Sequence, residues 1–286
     1  VNIKKASKLS QPVQEYLRKF TKNESLIDMI CQHFFAETPT FFALSYFGLY
    51  LDYRYPVGGT GKLPQVLSDY ILSHGGEIQT NSEVVRVIPE AHMAYLADGS
   101  EIRYRQLIWS ADQTAFYRAM GEPLPKPIAA KKELALKSHG IDSILALFIG
   151  TDIAPETAQE ACGPHAFYTP KTTGLSALPG WREIPADDID ALKRWVVAYL
   201  ESTTFEISVP VLRDAALAPE GKTGFIMSTL FDYDLTQHFE EAGEYSALKD
   251  IAQTTILRVL GETILPGLPE RTAFALCSTP TTIERE

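Results

Sequence analysis

Tyr55-Pro56-Val57-Gly58-Gly59-Thr60-Gly61 opens the stretch whose reading decides the fold, and Leu107-Ile108-Trp109-Ser110-Ala111-Asp112 closes it. The opening heptapeptide is a turn, because glycines and a proline are its main punctuation. Leu63, Leu67, Tyr70 and Ile71 follow at helical spacing, and the helix they predict stops at Gly75-Gly76. Glu77 to Thr80 reads as a short strand and Val84 to Ile88 as a second. Asp98-Gly99 between two strand-like runs predicts a hairpin. Leu107 to Ser110 reads as a buried strand, with a helix near Thr114 to Met120.

The glycine turn is not a stand-alone nucleotide site. A Walker phosphate loop would need glycine where Pro56 stands and Ser or Thr where Leu63 stands. A dinucleotide fingerprint would need its third glycine where Pro64 stands. Read alone, the turn is structural and starts a helix.

Upstream, Ser10 is placed to cap a helix carrying Val13, Tyr16, Leu17 and Phe20. A second helix carries Leu26, Ile27, Ile30, Phe34 and Phe35 and ends before Pro39. The run from Phe41 to Leu51 is dense in aromatic residues. Downstream, strands are predicted at 144–149, 204–209, 225–230 and 272–276, with helices at 188–200 and 245–260. The acidic group Asp187, Asp188 and Asp190 reads as the start of the first of these helices. Thr151 to Pro185 reads as one long loop.

With 45% apolar and 22% charged residues, the 286-residue chain can bury a core without staples. Its 36 acidic against 26 basic residues, a net charge of -10, argue against a nucleic-acid partner, which calls for a basic face. Cys31, Cys162 and Cys277 are too scattered for a zinc or iron–sulfur site, so no metal is expected and a reducing cytoplasm is the default. No apolar run reaches the ~18 residues of a membrane span. His33, His74, His92, His139, His165 and His238 show no ligand spacing and are expected at surfaces or helix ends. The chain begins at Val1 rather than Met, as a piece of something longer would.

Taken in order, the signals between Tyr55 and Asp112 resemble the central segment of the phytoene desaturase, carotenoid isomerase and retinol saturase flavoproteins, within the wider flavin amine oxidase group. That pattern runs Tyr-Pro-x-Gly-Gly, helix, Gly-Gly-x-Ile, Asn-x-x-Val, Asp-Gly-x-x-Ile, then an apolar strand ending in Asp. Pro210 to Lys222, with Asp214 and Ala218-Pro219, is similar to a second family segment, and Thr279-Pro280-Thr281 with Glu284 to a third. The Gly-x-Gly-x-x-Gly element that holds the FAD pyrophosphate in the family is missing from the sequence, as is the late glycine-rich FAD motif.

The resemblance implies an α+β fold: a partial α/β element of an FAD domain, plus a substrate domain of helices and mixed sheet. Residues 1–53 would be the helical part of the substrate domain, 54–120 the FAD-domain segment, and 121–286 the rest of the substrate domain. It implies FAD as cofactor of a parent oxidoreductase, poorly held by this piece alone. Gly58, Gly59 and Val84 would lie near the cofactor, although Val84 also reads as an ordinary buried sheet residue. Phe41, Phe42, Tyr46 and Phe47 read either as core or as the wall of a tunnel for an apolar polyene. Such a substrate would be compatible with peripheral membrane contact. No catalytic residue stands out, as expected where the cofactor carries the chemistry. Two other readings stay open, a non-catalytic apolar-ligand domain and a flavin amine oxidase-like enzyme with another substrate.

Overall fold

A computed structural model describes residues 9–35, 37–49, 54–138, 140 and 142–285; the side chains of Phe47 and Asp142 lie outside that description. The chain divides into two compact units, one of Val1–Lys62 with Ile141–Glu286, the other of Leu63–Gly140. The sequence places its boundaries at 53/54 and 120/121; the contacts place them at 62/63 and 140/141.

The first unit opens with three helices, α1 (Val13–Leu17), α2 (Glu24–Cys31) and α3 (Thr40–Leu49). Ser10 does not cap α1; the N-cap is Pro12, whose fixed φ of -54° leads into the first turn. Asn23 caps α2 by accepting the Leu26 N–H. The predicted second helix is shorter than expected and ends at Cys31, so Phe34 joins the core from beyond its end. Val13, Ile27, Cys31, Phe34 and Ala43 bury together.

The second unit begins with α4 (Lys62–Ser73). Its last turn closes through Gly75, at φ 76°, with Gly76 N–H donating to the Ile71 carbonyl. A left-handed glycine at that place satisfies helix carbonyls that would otherwise lack donors. Then comes an antiparallel meander of β1 (Val84–Ile88), β2 (Met93–Leu96) and β3 (Glu101–Arg103). The predicted hairpin at Asp98-Gly99 is present, with Gly99 at φ 86° and Asp98 accepting the Ser100 N–H. Asp112 caps α5 (Gln113–Ala119) through the Ala115 N–H, and α6 (Lys126–Lys137) packs on α5. Val87, Ala94 and Ala119 form a small core.

Two expected strands are not formed here. Residues 77–80 and 107–110 belong to no strand, and Ile108 is 88% exposed. Apolar character alone does not make a strand; it needs a neighbour to pair its N–H and C=O groups. Neither segment has such a neighbour among the described residues.

The first unit resumes with β4 (Asp142–Thr151), α7 (Pro155–Ala161), β5 (His165–Tyr168), α8 (Ile189–Ser202), β6 (Phe205–Ser208) and β7 (Thr223–Asp232). It closes with α9 (Tyr233–Glu241), α10 (Tyr245–Gly261), β8 (Thr272–Ser278) and α11 (Pro280–Arg285). The supposed loop 151–185 thus contains α7 and β5. Asp188 caps α8, as the acidic run suggested. The five strands run in the order β5-β6-β7-β4-β8. The α+β class holds; the sheet expected to be mixed is antiparallel at every described pairing.

Alternation decides the two faces of this sheet. Leu145, Leu147 and Ile149 join Phe225, Met227 and Phe231 in a core with Leu192, Val196 and Leu200 of α8 and Leu248, Ala252 and Ile256 of α10. The opposite face carries Ile144, Phe148, Phe274 and Leu276, all exposed.

Candidate functional site

The glycine turn lies within the first unit. Gly58 and Gly59 have φ of 89° and 85°, backbone that a side chain would strain. Gly59 N–H donates to the Pro56 carbonyl at 3.1 Å, and Lys62 N–H to the Gly59 carbonyl at 3.1 Å. These bonds fold the turn on itself and set up the start of α4.

The turn is held from outside by Asp214. Gly58 N–H donates to Asp214 Oδ2 at 2.6 Å, while Asp214 Oδ1 accepts the Ala216 N–H at 3.0 Å. Backbone donation, from Gly58 first and Ala216 second, holds the Asp214 carboxyl below its usual range. The Arg213 guanidinium sits 5.9 Å above the Tyr55 ring, and Leu217 lies 3.6 Å from where a Cβ on Gly59 would stand. Two segments 156 positions apart in sequence therefore form one local structure. Sequence reasoning singled out both and did not see that they meet.

Of the other expected site residues, Val84 lies in the second unit at the start of β1, half-buried beside Val87, Ala94 and Ala119. Phe41 and Phe42 are exposed on α3. Tyr46 is half-buried, its ring edge-on to Phe34 at 5.4 Å. The Phe47 side chain lies outside the described residues, as do Tyr50 and Leu51 of the same run. The helix is apolar on all sides, so part of it packs and part faces water.

Two features escaped the sequence reading. The first is the open sheet face of Ile144, Phe148, Phe274 and Leu276. Its signal was available, since the unbroken apolar run 144–149 is what a strand covered on both sides shows. The second is a histidine–carboxylate group. His165, expected at a surface or helix end, lies on β5 with Nε2 2.8 Å from Glu206 Oε1 on β6. His33 stacks on Phe167 at 4.6 Å, and burial pushes its imidazole down to about 4, against a smaller upward pull from Glu206. His139 lies outside the described residues. Burial raises the thiols of Cys31, Cys162 and Cys277 to about 11, so they stay protonated and unreactive at neutral pH. No helix among the described residues is long and apolar enough to cross a membrane.

No known family's profile matches the sequence, and no curated protein matches it. Solved structures do. The chain superposes on an oxidoreductase from Methanosarcina mazei with a TM-score of 0.60 at 15% identity, over 93% of this chain and 56% of that one. The chain shares the fold of part of that structure. It also superposes on the PF1083 protein from Pyrococcus furiosus, with a TM-score of 0.61 at 14% identity, over 94% of this chain and 58% of that one. A weaker likeness is to reduced UDP-galactopyranose mutase, with a TM-score of 0.47 at 16% identity, over 78% and 38%. At these identities the likeness is one of fold. The chain spans between 38% and 58% of the length of these structures.

Proposed function

We propose that this chain is the substrate-binding portion of an FAD-dependent oxidoreductase that acts on an apolar substrate. The observation carrying this reading is the Asp214 latch on the Gly58-Gly59 turn. It joins two of the three segments in which the sequence is similar to the flavin enzymes. The likeness of fold to an oxidoreductase supports the same reading.

The residues present fit one part of such a cofactor's contacts. Gly58 and Gly59 offer bare backbone in a conformation side chains avoid, as a turn lying against a flat cofactor requires. No glycine-rich phosphate cradle accompanies them in this sequence. The pyrophosphate would therefore be held by chain beyond these residues, consistent with a chain spanning little over half of the two better-matching structures.

Bound there, the flavin would supply hydride acceptance or return, or assist a double-bond shift. The chain's own part is positioning. Asp214 fixes the turn, and Ile144, Phe148, Phe274 and Leu276 offer exposed apolar surface on the outer sheet face. Phe41 and Phe42 on α3 extend the supply of exposed aromatic surface. A substrate without hydrogen-bonding groups, such as a polyene, suits such surfaces.

The test is to purify the longest natural polypeptide containing this sequence and record its absorption. Flavin bands, with FAD released on denaturation, are the expected result. Folded protein that is colourless and takes up no added FAD would overturn the flavin reading and leave an apolar-ligand binding module.

A further inference from the structure

A cavity of about 460 Å³ opens in the first unit between α1, α2, the segment 175–181, α8 and the end of β7. It shares no residue with the glycine turn and is independent of the flavin reading. Its size is that of small-molecule sites, roughly 300–1,000 Å³. Phe34, Phe35, Trp195, Tyr199 and Phe231 give it aromatic walls.

One carboxylate of these walls is buried without a counter-ion. Asp28, on α2, is only 4% exposed. Its Oδ2 accepts the Ser176 N–H at 3.1 Å and the Ser176 hydroxyl at 2.5 Å. Its Oδ1 has no hydrogen bond or ion pair among the described residues and is open to water. The guanidinium in the same wall, Arg18, is engaged by Glu24 at 3.0 Å. A second carboxylate of the lining, Glu37, is exposed.

Four other polar side chains of the wall are committed elsewhere. Gln32 donates to the Ser202 carbonyl and Thr204 Oγ1, and accepts the Leu175 N–H. Asp232 pairs with Arg182 at 2.9 Å. Trp195 Nε1–H donates to the Pro179 carbonyl at 2.8 Å, and Tyr199 Oη–H to the Leu230 carbonyl at 2.7 Å. Trp195 and Tyr199 therefore contribute rings rather than polar atoms. Left over is one carboxylate oxygen among aromatic side chains. A buried carboxylate lacking a counter-charge is costly, and an entering cation relieves that cost.

We propose that this cavity binds a small organic cation, a primary ammonium on an apolar body, which donates an N–H to Asp28 Oδ1. A charge-assisted bond of this kind is roughly twice as strong as a neutral one. Indole and phenol rings attract an ammonium through their quadrupoles, and the apolar body gains area against the same walls. An anion would meet Asp28 and Glu37 with no free cation to offset them, and a neutral ligand would leave Asp28 without its counter-charge. A bare divalent ion is a poor fit, because no group of three or more His, Cys, Asp or Glu side chains placed to hold a metal exists among the described residues.

Cyclohexylammonium is the probe, and cyclohexanol, of similar outline without the charge, is the control. Calorimetry on the whole chain at neutral pH should give saturable one-site binding of the ammonium, at least roughly tenfold tighter than the alcohol. Asp28→Asn keeps the shape and an acceptor for Ser176 but removes the charge. It should weaken the ammonium roughly tenfold or more and leave the alcohol unchanged, with folding checked by circular dichroism. Leu175→Trp, which fills the cavity, should abolish binding of both. Absence of saturable ammonium binding, equal affinity for ammonium and alcohol, or ammonium binding that survives Leu175→Trp would each overturn the proposal. So would unchanged ammonium affinity in folded Asp28→Asn; if that variant does not fold, the other three results decide.

Discussion

Asp214 shows how a single side chain carries architecture across the chain. Its Oδ2 holds Gly58, and its Oδ1 holds Ala216 at the start of its own short turn. Because backbone donors depress its pKa, the bond is intact above the ordinary carboxylate range and is lost only as pH falls through the lowered value. Under the proposed flavin reading, Asp214→Ala in the longest natural polypeptide should weaken FAD roughly tenfold, and Asp214→Asn, which keeps an acceptor, should restore part of that. Equilibrium titration with FAD reads the difference, and equal affinity in all three proteins would remove the latch from the cofactor site. His33 carries a second residue-scale consequence. Its imidazole titrates at about 4 in the fold, whereas in the unfolded chain it titrates near ~6.5. The unfolded chain therefore takes up the proton first, so the contribution of His33 to stability is complete above about pH 6.5 and declines as pH falls toward 4. His33→Phe, which keeps a ring against Phe167, should flatten the change in urea midpoint between pH 7 and pH 5. An unaltered slope in the variant would assign the pH dependence to other groups. Both residues were visible in the sequence; what was not visible was their partners, because contacts such as Asp214 to Gly58 span long separations.

At the scale of elements, legibility followed the source of each element's stability. Helices α8 and α10 have long amphipathic patterns, and the boundaries read from sequence differ from Ile189–Ser202 and Tyr245–Gly261 by a residue or two. The seven-residue α7 and four-residue β5 are too short to show a period, so the segment 151–185 read as loop. Residues 77–80 and 107–110 failed in the opposite sense. Leu107-Ile108-Trp109 is apolar and Glu77-Ile78-Gln79-Thr80 carries only Ile78, but in both cases strand structure belongs to the pair and not to the segment. For β4 the sequence announced a strand without saying which face is buried, since the run 144–149 is apolar throughout. Substitution separates the faces. Leu147→Ala empties a site in the main core and should cost about 2–5 kcal/mol in chemical denaturation. Leu276→Ala, on the face where that side chain is 64% exposed, should change stability by no more than about 0.5 kcal/mol. Comparable losses in the two variants would mean the second face is covered in solution.

For the whole molecule, the contrast is between two cores of different depth. The first unit buries a continuous cluster from the inner sheet face through α8 and α10. The second unit buries a small cluster of Val87, Ala94 and Ala119, with Val84, Tyr104 and Trp109 partly so, and adds Leu96 and Tyr117 among its described residues. Leu63, Val66, Leu67 and Tyr70 of α4 remain exposed, as does Ile108. Since apolar burial is the main force opposing chain entropy, the second unit has far less to hold it. The two should therefore open separately, each with its own free energy. Native-state hydrogen exchange on this chain should show the amides of β1, β2 and β3 exchanging well before those of β4 and β7. The same order should appear under mild proteolysis, with first cuts between residues 63 and 140 and with the sheet of the first unit surviving. Equal protection in the two sheets would mean that the units share one cooperative transition, and that apolar surface exposed on α4 contributes nothing to where the molecule first comes apart.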